Sequence, residues 1–236
     1  MPLINNISLI AVVPAAGVGK RMLSDCPKQY LTIGGRTIIE HTLERLLSHS
    51  MIKEVIVVLG KEDGYFAHLN IASHPQIRTV YGGKERVDSV LAGLKVIDSV
   101  KYPWVLVHDA ARPCVKLTDI DSLISHCIAT EQGGLLGYPV RDTMKRSEDS
   151  GVVLSTIERE RLWHALTPQM YKVTDLIQSI EVGFDKGLTI TDESSAIEAF
   201  GLPSTLIESR SDNIKITRPD DLALAEFILT NQMEEK

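Results

Sequence analysis

The sequence predicts an α/β domain in which a mostly parallel sheet is flanked by helices and a β-hairpin arm projects from one side. Three observations predict it. Short apolar runs such as Leu9 to Val13, Val55 to Leu59 and Trp104 to Val107 read as strands buried on both faces. Stretches of helical period separate them, the alternation that builds a parallel sheet through crossover connections. The segment from Val140 to Leu162 breaks this rhythm, being polar with an SEDSG turn between β-prone flanks. The expected fold is therefore a single Rossmann-like domain over residues 1–236, with residues 140–162 inserted as the arm.

The first strand, Leu9 to Val13, stops at Pro14 in a loop of small residues, Ala15, Ala16, Gly17 and Gly19, followed by Lys20, Arg21 and Lys28. A loop poor in side chains lets backbone N–H groups approach an anion, and neighbouring cations add charge from the side. Such a loop suits a nucleotide's phosphates, although the glycines alone also fit a plain turn between strand and helix. A Walker loop is excluded, because no G-x-x-x-x-G-K-[ST] occurs. The dinucleotide fingerprint starts with Gly17 and Gly19 but has Met22 where the third glycine is needed for close helix packing.

Ile38, Ile39, Leu43, Leu46 and Leu47 mark an amphipathic helix over Thr37 to Leu47. After the strand Val55 to Leu59, a short strand from Arg78 to Tyr81 ends in Gly82 and Gly83, and Val87, Val90, Leu91 and Leu94 face one way along the next helix. The strand Trp104 to Val107 ends in HDAARP, and Ile120, Leu123, Ile124 and Cys127 define the helix after it. Ligands of parallel sheets sit beyond the carboxyl ends of the strands, where Pro14 to Gly19, Gly82 and Gly83, and Asp109 to Arg112 all fall. After the arm, Leu176 to Phe184 is helical, and TITDESSAIEAFG starts a helix capped by Thr191 or Asp192 and stopped near Gly201. Ser204 to Ile207 reads as a strand. The closing IKITRPDDLALAEFIL reads as a strand, Thr217 as N-cap, Pro219 in the first turn and a helix with Leu222, Ala225 and Leu229 inward.

A net charge of -6 argues against a broad nucleic-acid surface but leaves room for a local cationic pocket. Cys26, Cys114 and Cys127 are odd in number and show no C-x-x-C spacing, which points to buried or idle thiols rather than a disulfide framework or zinc. No apolar stretch is long enough to span a membrane and no secretory signal pattern opens the chain, so a soluble, cytoplasmic protein is expected. The marginal stability of an isolated hairpin predicts that the arm packs on a second copy, making a homodimer.

Taken together, PAAGVGKRM with PKQY, GGKERVDSVLAGL, VHDAARP, PVRDTMKR, LWHALTPQ, TDE and DNIKITRPDDL, in this order, resemble the 2-C-methyl-D-erythritol 4-phosphate cytidylyltransferases, members of the glycosyltransferase-A-like nucleotidyltransferases. The resemblance runs from about Ala11 to about Phe227 and implies the fold of the nucleotide-diphospho-sugar transferase type. It implies that methylerythritol phosphate attacks the α-phosphate of CTP with Mg²⁺ or another divalent cation, releasing pyrophosphate in the non-mevalonate route to isoprenoid precursors. Such a transfer leaves the protein positioning and charge stabilisation to supply.

By the resemblance the catalytic set is Arg21, Lys28, Arg159 and Lys215. Pro14, Ala15, Ala16, Gly17 and Gly19 cradle the triphosphate with Arg21 and Lys28, while Gly83 and Ser89 meet the cytosine. Asp109 holds Mg²⁺ or the ribose and also faces the acceptor. Ala110, Arg112, Thr191 and Lys215 meet the sugar phosphate with Thr143 and Arg159, the last two from the partner subunit's arm; Thr167 supports the site. Lys84 departs from the small or acidic residue expected in some relatives. His108 is expected to be structural, since a phosphate monoester is already deprotonated near pH 7 and needs no base. Ribitol-5-phosphate cytidylyltransferase is the rival within the fold, expected to differ from DTMKR and LWHALTPQ. A nucleotide-binding regulator without turnover is opposed by Arg21, Lys28, Asp109 and Lys215. An NAD-dependent oxidoreductase would offer only Glu62 or Asp63 as its ribose acid.

Overall fold

A computed structural model describes residues 7–17 and 26–234. The strands are β1 (Leu9–Pro14), β2 (Thr32–Ile33), β3 (Arg36–Thr37), β4 (Ile52–Leu59), β5 (Ile77–Tyr81), β6 (Trp104–Val107), β7 (Gly133–Pro139), β8 (Met144–Ser147), β9 (Val153–Ile157), β10 (Trp163–Lys172) and β11 (Ser204–Glu208). The helices are α1 (Ile38–Leu47), α2 (Arg86–Leu94), α3 (Leu117–Thr130), α4 (Val173–Asp185), α5 (Glu193–Phe200) and α6 (Asp220–Glu234). Seven strands form one sheet in the order β11-β7-β10-β6-β1-β4-β5. Every pairing within it is parallel except those of β10, which runs antiparallel to β6 and β7.

The alternation within β1 sorts the core into two layers. Leu9, Ala11 and Val13 pack with Ile39, Leu43 and Leu46 of α1 and Ile120, Leu123, Ile124 and Cys127 of α3. Ile10 and Val12 face the other way, onto Val90, Leu91 and Leu94 of α2, Leu176 and Ile180 of α4, and Ala196 and Ile197 of α5. With water excluded from both faces, β1 and β6 read as uninterrupted apolar runs rather than alternating ones. The thiols of Cys114 and Cys127 are buried, and burial pushes each up to about 12, far from reactive thiolate character.

Helix starts follow their chemistry. Thr37 caps α1 in a reciprocal capping box with Glu40. Asp192, the second of the two cap candidates, caps α5 by accepting from the Ser195 N–H, and Gly201 ends that helix with φ +87°. At α6 the expected order is reversed: the Asp221 carboxylate accepts from the N–H groups of Thr217 and Arg218 and from the Thr217 hydroxyl, and the helix begins at Asp220.

One sequence reading is corrected, and two features of the fold lie beyond what was read. The segment Ile214 to Thr217 is not a strand, because its backbone groups are taken elsewhere: the Ile216 N–H donates to Ala111 O and the Ile216 carbonyl accepts from Lys28 Nζ. Two sheet strands that were not anticipated, β7 and β10, flank the arm. The sequence of β7, GGLLGYP, carries glycines where strand propensity is low, yet Gly134 and Gly137 lie where an added Cβ would meet Thr205 O at 2.6 Å and His164 O at 2.9 Å. Finally, the small hairpin β2–β3 turns through Gly34 and Gly35, both at positive φ, and packs with Ala225, Ile228 and Leu229 of α6 in a third cluster.

The arm leaves the sheet between β7 and β10 and closes at its base where the Val140 N–H donates to Leu162 O. Its strands β8 and β9 pair antiparallel, from Met144 with Ile157 to Ser147 with Val153. The turn uses Gly151 at φ +88°. Among the described residues no helix is long and apolar enough to cross a membrane.

Candidate active site

A cavity of about 410 Å³ opens beyond the carboxyl ends of β1, β5 and β6. It brings together Pro14, Ala15, Ala16, Gly17, Lys28, Gly83, Ser89, Asp109, Ala110 and Lys215 from the expected set, which span most of the chain. Gly19 and Arg21 lie outside the described residues.

The loop after β1 is shaped by Gln29. Its buried side-chain amide donates to Ala15 O at 2.7 Å and Gly17 O at 3.2 Å, so these carbonyls are occupied and not presented to an anion in the cavity. Lys28, in the preceding position, donates from Nζ to Ile216 O at 2.8 Å and lines the cavity, which joins the opening loop to the segment carrying Lys215. On the opposite wall Gly82 and Gly83 permit a close approach to α2. A Cβ on Gly83 would meet Asp88 Cβ at 2.4 Å, and Asp88 is the residue that accepts from the Glu85 N–H at the start of α2. Ser89 Oγ donates to Glu85 O at 3.3 Å, its backbone-bonding alternative, while also lining the cavity.

Asp109 forms the floor. It follows β6 and is 7 % exposed, with Lys215 Nζ 2.7 Å from Oδ2, Arg86 Nε 2.9 Å from Oδ1 and Arg112 Nε 3.6 Å from Oδ2. Burial by itself would raise its carboxyl, but Arg86, Lys215 and Arg112 outweigh burial and hold it well below the usual carboxylate range. Arg86 in turn donates to both oxygens of Glu193, Nη1 to Oε1 at 2.6 Å and Nη2 to Oε2 at 3.2 Å. Neither Arg86 nor Glu193 was singled out by sequence reasoning, although both lie in quoted motifs, GGKER and TDE. A cation at the first position of a helix, where the macrodipole disfavours it, was the available signal.

With His108 neutral, a chain of hydrogen bonds runs behind Asp109. The Asp109 N–H donates to Thr167 Oγ1 (3.1 Å), the Thr167 hydroxyl donates to His108 Nδ1 (3.1 Å), and His108 Nε2–H donates to Arg112 O (3.0 Å). A carbonyl can only accept, which places a proton on Nε2; with the imidazole neutral, Nδ1 is left to accept from Thr167. Burial pushes His108 down to about 4, in keeping with the structural role expected of it. Thr167 sits in the irregular stretch of β10 between Ala165 and Gln169, beside a cis peptide bond to Pro168.

Four expected acceptor residues do not line this cavity. Arg112 is buried behind Asp109 and donates from Nη1 to Asn213 O at 2.7 Å, so in the chain as folded it braces the floor instead of facing the opening. Thr191 is exposed at the entry to α5, its N–H donating to Ser195 Oγ. Thr143 and Arg159 are exposed at the base of the arm, where Arg159 Nη1 donates to Arg141 O.

A divalent cation can be tested against this geometry. Among the described residues no group of three or more His, Cys, Asp or Glu is placed to hold one. Asp109 retains lone pairs beyond its bonds to Arg86 and Lys215, but three cations already surround it. The described residues thus offer one carboxylate, Asp109, and a divalent cation there would need phosphate oxygens and water for its remaining ligands.

The family model described as 2-C-methyl-D-erythritol 4-phosphate cytidylyltransferase matches residues 9–231. A protein of that name from Colwellia psychrerythraea is 58% identical over 236 residues, covering 97% of both chains. One from Vibrio vulnificus is 53% identical over 231 residues, covering 97% of this chain and 98% of the relative. Among solved structures, a 4-diphosphocytidyl-2C-methyl-D-erythritol synthase superposes with a TM-score of 0.82 at 32% identity, covering 94% of this chain and 99% of the other. The Francisella tularensis cytidylyltransferase superposes with a TM-score of 0.81 at 33% identity and the same coverage. With strand order, strand-end cavity, sequence and superposition in agreement, the chain belongs to the 2-C-methyl-D-erythritol 4-phosphate cytidylyltransferase family.

Proposed function

We propose that the cavity beyond β1, β5 and β6 transfers the cytidylyl group of CTP to 2-C-methyl-D-erythritol 4-phosphate, yielding 4-diphosphocytidyl-2-C-methyl-D-erythritol and pyrophosphate. The observation that carries this reading is the placement of Lys28 and Lys215 around one cavity with the side-chain-poor loop Pro14 to Gly17, opposite the glycine-walled start of α2. A phosphate oxygen of the acceptor forms a bond to the α-phosphorus, and the bond from that phosphorus to the bridging β-phosphate oxygen breaks with the electrons leaving on pyrophosphate. No proton needs to be removed from the nucleophile near neutral pH. The protein's task is to bring two polyanions together and to stabilise charge on the α-phosphate, which Lys28, Lys215 and, by the family resemblance, Arg21 perform.

Gly83 and Ser89 with the backbone at Ala15 and Ala16 receive the cytosine. Asp109, Ala110 and Lys215 meet the acceptor together with Thr191. Asp109 would hold Mg²⁺ together with the triphosphate, and the ion would supply Lewis-acid polarisation and charge neutralisation. Thr143 and Arg159, exposed in their own chain and absent from the lining of its cavity, complete the acceptor pocket from the arm of a second copy. The exposed Val152, Val153 and Leu154 give that arm an apolar surface for a partner to cover. The enzyme works in the cytoplasm, where nucleoside triphosphates are held.

Pyrophosphate release with CTP and Mg²⁺, comparing methylerythritol phosphate with ribitol 5-phosphate, tests the reading. Release is expected with the former and at least ~100-fold less, per unit kcat/KM, with the latter, the discrimination expected of a site built to hydrogen-bond a particular set of hydroxyls. No release with methylerythritol phosphate overturns it.

A further inference from the structure

We infer that Arg86 and Glu193 are positioning residues, a clamp that locks Asp109 and ties the nucleotide wall of the cavity to its acceptor wall. The inference rests on the cytidylyltransferase reading above. Arg86 is the first residue of α2, directly after the loop that carries Gly83, and Glu193 is the first residue of α5, directly after Thr191 and Asp192. Both helices pack on the same face of the sheet, the layer of Ile10 and Val12, and Arg86 at the start of one reaches both Asp109 at the end of β6 and Glu193 at the start of the other.

The guanidinium spends its two edges on two different acids. Nε faces Asp109 Oδ1 at 2.9 Å, while Nη1 and Nη2 face the two oxygens of Glu193 at 2.6 and 3.2 Å. A planar fork held along both edges cannot turn without breaking one pair, a constraint that a lysine ammonium could not impose. Asp109 in turn cannot rotate without losing either Arg86 on Oδ1 or Lys215 on Oδ2, so the clamp sets where the Lys215 ammonium stands in the cavity. Glu193 is only 2 % exposed, and Arg86 is the cation that compensates its charge. The α5 side is itself anchored: Gln169 donates to Asp192 Oδ2 and accepts from the Ser194 N–H, and both residues precede or open the same turn as Glu193. Displacement of the clamp would therefore disturb the acceptor wall, through Asp109 and Lys215, before it disturbs the loop from Pro14 to Gly17, with which Arg86 makes no hydrogen bond or ion pair among the described residues.

The test is a comparison of Arg86→Lys with wild type. The KM for methylerythritol phosphate should rise ~10-fold or more, the loss of about one charge-assisted hydrogen bond in placement, while the calorimetric Kd for CTP measured without divalent cation, which leaves the Mg²⁺ contact of Asp109 out of the comparison, stays within threefold. Adding Arg86→Lys to Lys215→Ala should cost less than threefold beyond Lys215→Ala alone, because the clamp acts through the residue already removed. Glu193→Gln, which keeps shape and removes the charge, should shift the same KM in the same direction and serves if Arg86→Lys does not fold. Equal loss for both substrates, loss confined to CTP affinity, full additivity with Lys215→Ala, or no change overturns the clamp. A wild-type enzyme inactive with methylerythritol phosphate would instead sink the underlying reading, so the two failures are separable.

Discussion

The cavity floor and the arm are opposite solutions to placing charged side chains. On the floor Asp109, Glu193 and Arg112 are buried, and each has partners fixed by the surrounding sheet. On the arm every residue of β8 is exposed, and a side-chain bond such as that from Lys145 Nζ to Thr156 Oγ1 links its two strands in water. Burial makes geometry precise because breaking a pair leaves an uncompensated charge, whereas exposed pairs contribute little. The floor is therefore assembled within one chain. The arm, two strands with little core of its own, leaves Val152, Val153 and Leu154 exposed, and a second copy is the proposed partner to cover them.

The largest effect should come from the floor side. Lys28→Ala is expected to lower kcat ~10²- to 10³-fold, the cost of removing one preorganised charge donor at the transferring phosphoryl group, with little change in the melting temperature. A kcat within threefold of wild type would make Lys28 a tether for Ile216 and no more.

Arg159→Ala on the arm should raise the KM for methylerythritol phosphate ~10- to 100-fold, the loss of a charge-assisted hydrogen bond, and leave the KM for CTP nearly unchanged. The comparison sharpens further by mixing. If arm and floor of one site come from different chains, Arg159→Ala and Lys215→Ala subunits exchanged at equal amounts should regain about a quarter of wild-type activity, since mixed dimers carry one intact site. No recovery, or a monomer by light scattering at micromolar concentration, breaks the proposed division between the two regions.

A further effect, on stability and not on activity, concerns pH. His108 is neutral in the folded chain down to about 4, against an ordinary value near 6.5 when unfolded. Between these values the unfolded chain binds the extra proton, so stability rises with pH across that window and is lost as pH falls through it, by about 3 kcal/mol at most. In urea titrations His108→Gln should flatten the dependence between pH 6.5 and 4.5. An unchanged slope would mean that His108 does not stay neutral behind Asp109.

Glycines and cations were more legible than their relationships. The loop from Pro14 to Gly17, the glycine pair before α2, and Asp109 could be read as strand-end features because apolar runs stop abruptly at them, and the periodic stretches marked helices α1 to α5, with the ends of α1 and α5 nearly correct and α4 starting three residues earlier than read. Strands β7 and β10 were not legible: GGLLGYP lacks β-branched residues, and its place in the sheet rests on neighbours that approach where side chains would clash. The segment before α6 looked like a strand because Ile214 and Ile216 alternate with polar residues, yet Lys28 and Ala111 claim its backbone groups. Arg86 and Glu193 are separated by more than a hundred positions, so no local pattern announces that they pair.

By itself the sequence determined the layered α/β architecture, the polar arm and the set of residue types suited to cytidylyl transfer. These are written in local periodicity, composition and motif order, which one segment can express alone. Tertiary structure decided which of those residues share a cavity, that Arg112 braces the floor, and that Asp109 is held by three cations at once. The reason is physical: burial and long-range charge pairing set both the orientation and the ionisation of a side chain, and both depend on atoms contributed by distant parts of the chain.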